Sequence, residues 1–386
     1  MANLSLFRSS PAKPVLPLSR VRLDIHLGNI VTNLERIKAR VAPAKVMCVL
    51  KAGGYGLGAL PLAKALSQGG ADRFGVAELK EALALRAAVK QPIQMLSGVL
   101  NWEIPEAISQ GIILPIGTPE AAEGILTEAK RQGKRATVHV KVDTGMGRMG
   151  LTLSQAKKWV PKLAKTRELR LEGLFSHFAN ANHPENGKTQ LQFQLFMDLV
   201  KEFENQGIRF PIRHISNSDA INNFPEADLD MVRTGINLYG VFDLQGRQAY
   251  RLKPSLELKT TLLAKRRLPA GSTIGYGCTH TLFEDTWVGT VPAGYADGVP
   301  LAASNSGWVL LKGKRCPILG RVSMDYITVN LNACPGARVG DDVVLVGKSG
   351  KEEITIEDWA RVKQTHPYEI ICSLGNRVQR IFHPPD

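Results

Sequence analysis

Residues 46–60, VMCVLKAGGYGLGAL, place a lysine at the end of a five-residue apolar run and follow it with Gly53, Gly54, Gly56 and Gly58. The run reads as a buried strand. A lysine inside such a strand would lose hydration that nothing replaces, so at the strand's end its ammonium either snorkels to water or enters a pocket at the C-terminal edge. The glycines favour the pocket, because they let backbone approach a ligand and turn N–H groups toward an anion. No GxxxxGK[ST] phosphate loop is present.

The same unit recurs along the chain. Short apolar runs at residues 46–50, 74–76, 93–96, 112–116, 137–142, 171–175, 212–216 and 231–233 give eight candidate strands. Between them lie stretches such as ELKEALALRAAV and TPEAAEGILTEAKRQ, whose composition and three-to-four spacing predict helices, the second with Thr118 as N-cap. Eight β-α alternations over about 220 residues predict an α/β fold of the (β/α)8 TIM-barrel type, with a doubly wound open sheet as competitor. Beyond Pro254 the pattern changes to short strands and turns: LELKTTLLA, TWVGTVPAG, WVLLKGKRCPILG, YITVNL, DDVVLVG and YEIICSL. There only EDWARVKQ, residues 357–364, reads as helical. The expected organisation is a flexible basic tail over 1–22, a barrel over 23–252 and a mainly β C-terminal domain over 253–386.

An apolar content of 44% and charged content of 22% are those of an ordinary globular protein, and no apolar stretch approaches the ~18 residues of a membrane span. The five cysteines, Cys48, Cys278, Cys316, Cys334 and Cys372, show neither a disulfide framework nor metal-ligand spacing, which points to a reducing cytoplasm and no metal. The net charge of +14 is spread along the chain without aromatic interleaving or a nucleic-acid-reading motif, so no specific nucleic-acid partner is expected. The first 23 residues carry four basic and no acidic residues but lack the apolar core of a secretory signal.

In a barrel, chemistry gathers just beyond the C-terminal ends of the strands. Lys51 follows the first candidate strand and Arg148, in DTGMGR, the fifth. His177 follows the sixth, Asn217 and Ser218 the seventh, and Arg233 ends the eighth. Singly, His177 reads as a structural histidine and Arg148 as an ion-pair partner; together they line one mouth. One lysine, two arginines, a histidine and Gly/Ser donors, with no carboxylate cluster, suit an anionic ligand with an electrophilic carbonyl. Pyridoxal 5′-phosphate (PLP) answers that description.

At KAGGYGLG, VDTGMGRMG, HFANAN, HISNSDA, VRTGINLYG, GYGCTH, VPAGYADG, GRVSMD and YEIICSLGNRVQRIF, in this order, the sequence resembles the alanine racemase family from about residue 20 to 382. The resemblance implies a PLP enzyme that interconverts L- and D-alanine. Lys51 becomes the Schiff-base lysine and one of two catalytic bases, and Tyr276 the base on the opposite face. His177 supports Tyr276. Arg233 faces the pyridine nitrogen and, able only to donate, keeps it unprotonated, a weaker electron sink that favours racemisation over transamination. Arg148 and Met324 bind the substrate carboxylate. Tyr55, Asn217, Ser218, Gly235, Ile236 and Tyr368 complete the cofactor site, and Tyr295 is a further active-site tyrosine. In the family Tyr276, Tyr295 and Met324 come from the partner subunit, so a homodimer with shared sites is implied, and Lys141 aligns with a lysine that some members carbamylate, an ordinary ion pair being the alternative. D-alanine for bacterial wall peptidoglycan is implied by the family alone.

Three departures stand out. Members commonly read KANAYGHG where this chain has Gly53, Gly54 and Leu57, an arginine is replaced around Leu301, and Gln379 stands where proline is usual. The alternatives are a racemase of the same fold acting on lysine, arginine or serine, and a non-enzymatic PLP carrier. The carrier needs no second domain with Tyr276, and related PLP decarboxylases are disfavoured by Arg233.

Overall fold

The structure, a computed structural model, describes residues 19–245 and 248–384. Of the expected tail, 1–22, residues 1–18 lie outside the described residues, and its last residue, Arg22, already belongs to a strand. Eight strands form the barrel: β2 (Lys45–Val49), β3 (Arg73–Val76), β4 (Ile93–Met95), β5 (Leu114–Ile116), β6 (Ala136–Lys141), β7 (Leu169–Phe175), β8 (Ile212–His214) and β9 (Met231–Thr234). They pair in parallel in the orders β4-β3-β2-β9 and β5-β6-β7-β8. Backbone bonds from Met95 N to Ile113 O and from Asp230 N to Arg213 O join the two halves, so the ring closes and the open-sheet alternative falls. All eight predicted strands are present.

Strand alternation divides the side chains. Val46 and Cys48 join the large apolar core outside the barrel wall, while Met47 points inward against Ile212 and Met231. Helices cover the outside. Leu27–Val41 buries Ile30, Asn33, Leu34, Ile37 and Val41, the stripe that a 3.6-residue repeat produces. Pro119–Gln132 begins where the Thr118 hydroxyl accepts from Ala121 N and stops at Gly133, whose φ of 62° is the left-handed conformation glycine adopts without strain.

The C-terminal region is a twisted mainly antiparallel sheet, and here two expectations change. The segment Arg22–His26, β1, does not open the barrel. It pairs with Leu256–Thr261 on one side and, in parallel, with the last strand Gln379–His383 on the other. The chain thus begins its described course in the C-terminal sheet, then crosses into the barrel. The segment YEIICSL is also not a strand. Pro367–Cys372 is a short helix, because proline at its first turn has φ preset for a helix and needs no donor there, and Ile370 and Ile371 bury together on one side. Tyr368 is thereby carried to the barrel mouth.

Candidate active site

The lysine of the opening stretch reaches its pocket. Leu50 ends the strand region, and the chain then makes a left-handed turn, with φ of 54° at Ala52, 64° at Gly53, 72° at Gly54 and 61° at Tyr55. Glycine has no steric penalty there, so the Gly53 and Gly54 departures ease this turn. A Cβ at Gly54 would come 2.7 Å from Leu62, so the turn also packs tightly on the following helix. Lys51 emerges into one cavity and Tyr55 is buried beside it.

That cavity collects most of the predicted residues. Lys51, Tyr55, Lys141, Arg148, His177, Asn217, Ser218, Arg233, Gly235 and Tyr368 all line it. Ile236 follows Gly235 into the core and is buried without lining the cavity. Tyr276, Tyr295 and Met324 are not in it. They are 73%, 46% and 53% exposed on neighbouring loops of the C-terminal region, with Tyr295 N bonded to Ser323 O.

Each polar group has a physical reason for its state. Asp143 accepts from the backbone N–H groups of Gly145, Met146 and Gly147, and so shapes the loop that presents Arg148. Burial opposes its charge, but these donors hold its carboxyl below the usual range. Lys51 is held below the usual lysine range, first by the desolvating cavity walls and then by the Arg148 guanidinium. Lys141 is buried, donates to Leu96 O at 2.7 Å, and is pushed down to about 8 by burial and by the Arg233 and Arg148 charges.

Arg233 is the most constrained member. Its terminal nitrogens donate to the carbonyls of His214, Ser176 and Ile215 and to Nδ1 of both His214 and His177. Burial brings it down to about 9, which leaves it cationic at neutral pH. Burial and the neighbouring cations also hold His177 well below the usual histidine range, so its ring is neutral. Because arginine only donates, His177 Nδ1 is the acceptor and the proton is on Nε2.

The arrangement fits PLP on its own donor set. Gly235 N lies 3.0 Å from the Ser218 hydroxyl, and a Cβ at Gly235 would come 2.1 Å from the Tyr55 hydroxyl, so only glycine leaves this corner open. Hydroxyl and amide donors there suit a phosphate, while the cationic Arg233 and Lys51 suit a ring nitrogen and an electrophilic carbonyl. Sequence reasoning missed Phe175, whose ring lies 5.4 Å from Lys141 Nζ and 5.9 Å from Arg233 Cζ, and missed Asp219, Asp243 and His366 along the same cavity. The aromatic end of the sixth barrel strand was the signal for Phe175. His366 lay beside the helix misread as a strand.

The alanine racemase N-terminal domain matches residues 25–243 and the alanine racemase C-terminal domain matches 255–382. The alanine racemase of Desulforamulus reducens is 38% identical over 364 residues, covering 93% of this chain and 98% of that protein. Among solved structures, alanine racemase from D-cycloserine-producing Streptomyces lavendulae superposes with a TM-score of 0.90 at 34% identity, covering 95% of this chain and 97% of that one. The Bartonella henselae alanine racemase, with covalently bound pyridoxal phosphate, gives 0.86 at 30% identity, covering 95% and 100%. Fold, site and likeness across nearly the whole length agree, and the chain belongs to the alanine racemase family of PLP-dependent isomerases.

Proposed function

We propose that this racemase interconverts L- and D-alanine with Lys51 and Tyr276 as its two bases, Tyr276 being supplied by the second subunit of a homodimer. The observation that carries this reading is the convergence of Lys51, Arg148 and Arg233 on one cavity in which His177 is held neutral. When bound, PLP supplies a conjugated electron sink that acidifies the amino acid's Cα–H. Arg148 has no ion-pair partner among the described residues and is free to bind the substrate carboxylate. Lys51 Nζ exchanges the proton at Cα on one face. Tyr276 Oη serves the other, with His177 Nε2–H, the donor left by its bond to Arg233, stabilising the phenolate. Tyr55, Ser218, Gly235, Ile236 and Tyr368 would hold the phosphate, with Asn217 capping the helix behind Ser218. Met324 and Tyr295 join Tyr276 from the partner. The division of the chain near residue 252 is supported by the change of sheet there.

Incubating the enzyme with single enantiomers of alanine, serine, lysine and arginine, followed by chiral chromatography, tests the assignment. Alanine is expected to be racemised fastest, and no turnover of any of them overturns it. The broader-specificity reading keeps one observation in its favour: Asp219 and Asp243 line the cavity, where burial and the Asp243 charge push Asp219 up to about 7. Faster turnover of lysine or arginine would select that reading. No helix among the described residues is long and apolar enough to cross a membrane. We place the protein in the cytoplasm, supplying D-alanine for peptidoglycan.

Lys141 is proposed to be carbamylated. Lys141 makes no ion pair among the described residues: it bonds to the Leu96 carbonyl, and the charges of Arg233, Arg148 and Lys51 outweigh that of Asp143. With its pKa near 8, a sizeable fraction is neutral amine at physiological pH, the form that captures carbon dioxide. Capture replaces a positive charge between Arg148 and Arg233 with a negative one. Equilibration with 13C-bicarbonate should give a carbamate resonance that Lys141→Ala lacks, and acidification should erase it as the amine protonates.

A further inference from the structure

Inside the barrel, below the cavity, lies a row of buried polar side chains that the proposed reaction does not use. His139 on β6 is opposite Gly173 on β7, and a Cβ at Gly173 would come 2.2 Å from His139 Nδ1. The glycine therefore makes room for the ring. The β6–β7 register shifts here, pairing Val138 with Leu171 and His139 with Gly173, so Glu172 is an inserted residue. Such a bulge re-aims a side chain, and Glu172 Oε2 lies 3.0 Å from His139 Nε2.

The contacts continue in one line. His139 Nδ1 is 2.9 Å from His214 Nε2, and His214 Nδ1 is 2.8 Å from Arg233 Nη1. Arginine can only donate, so His214 Nδ1 accepts and the His214 proton is on Nε2. That proton is given to His139 Nδ1, which leaves the His139 proton on Nε2, facing Glu172. Glu172 is an acceptor only while ionised, and Arg73 at 2.8 Å together with Arg170 keeps it so. Although Arg73 Nη1 is also 3.1 Å from His139 Nε2, that nitrogen already carries a hydrogen, so the Arg73 bond goes to Glu172. Burial holds His139, at about 4, and His214 neutral, as the row requires.

We propose that Glu172 is a positioning residue for Arg233: through His139 and His214 it fixes the direction of a buried hydrogen-bond chain, so that the guanidinium meets acceptors alone and is held in place for the cofactor's ring nitrogen. This rests on the reading of Arg233 as the ring-nitrogen partner. Reversal of the chain would set an N–H of His214 against an N–H of Arg233 in a space where neither can turn to water, and the guanidinium would move.

The test uses the holoenzyme. Glu172→Gln keeps the size but supplies an amide donor that permits reversal. It is expected to lower kcat about tenfold, raise the cofactor dissociation constant by a similar factor and shift the visible absorption of the bound cofactor. KM for alanine should hold within about twofold, because Arg148 is not part of the chain. His139→Leu, which cuts the row, should behave like Glu172→Gln. His139→Gln can accept from His214 and donate to Glu172, and should recover most of the loss. Wild-type kcat and absorption in Glu172→Gln, or a His139→Gln variant as impaired as His139→Leu, overturns the proposal. The His139 pair decides if Glu172→Gln does not fold. Arg233→Met separates the two claims: if it leaves the cofactor's absorption and affinity unchanged, the reading of Arg233 fails; if it alters both while Glu172→Gln and His139→Leu do not, only the positioning role fails.

Discussion

Lys51→Ala should lower racemisation by at least ~1000-fold and leave PLP removable by dialysis, because in the proposed mechanism one side chain both attaches the cofactor and serves as a base. The cavity offers two lysines, Lys51 and Lys141. Both are depressed below the usual range, and a neutral amine is what attacks a carbonyl. They differ in freedom. Lys141 is buried, committed to Leu96 O and stacked over Phe175, whereas Lys51 is exposed to the open cavity beside Tyr55. Borohydride reduction of the yellow holoenzyme, followed by peptide mapping, should find the adduct on Lys51. Lys141→Ala should keep the colour. An adduct on Lys141 would exchange the two roles and refute the assignment.

The features legible in the sequence were those with a local signature. Lys51 was readable because an ammonium cannot end a buried strand without a destination, and Arg148 because Asp143 and three glycines write a tight anion-presenting loop within a few residues. The barrel was readable because its strands and helices alternate in sequence as they do in space. What escaped depends on distant partners. Strand β1 is five residues whose neighbours lie some 230 and 350 positions away, so nothing near it announces a sheet. His139, Glu172 and His214 are inside strands that read as apolar, and the bulge that aims Glu172 is invisible until β6 and β7 are in register. Pro367–Cys372 misled because Ile-Ile favours strand locally, while burial of those isoleucines and the leading proline decide for helix.

Mixing Lys51→Ala subunits with Tyr276→Phe subunits should restore activity that neither homodimer has. The barrel cavity holds Lys51, Arg148 and Arg233, yet Tyr276 is 73% exposed and does not line it. A two-base inversion needs a second group on the face away from Lys51, and the tyrosines that do line the cavity, Tyr55 and Tyr368, are held well above the usual tyrosine range by burial. Two-fold pairing, as proposed, would resolve this by bringing each chain's tyrosine to the other's lysine. A mixed dimer then has one site with both lesions and one with none. Random exchange makes about half of the dimers mixed, so activity should return to roughly a quarter of wild type. Were Lys51 and Tyr276 to act within one chain, every site in the mixture would keep one lesion and activity would stay at the level of the parents. Exchange is checked independently by mass-tagged subunits. With exchange complete and no recovery, the second domain completes its own barrel and the shared-site reading is wrong.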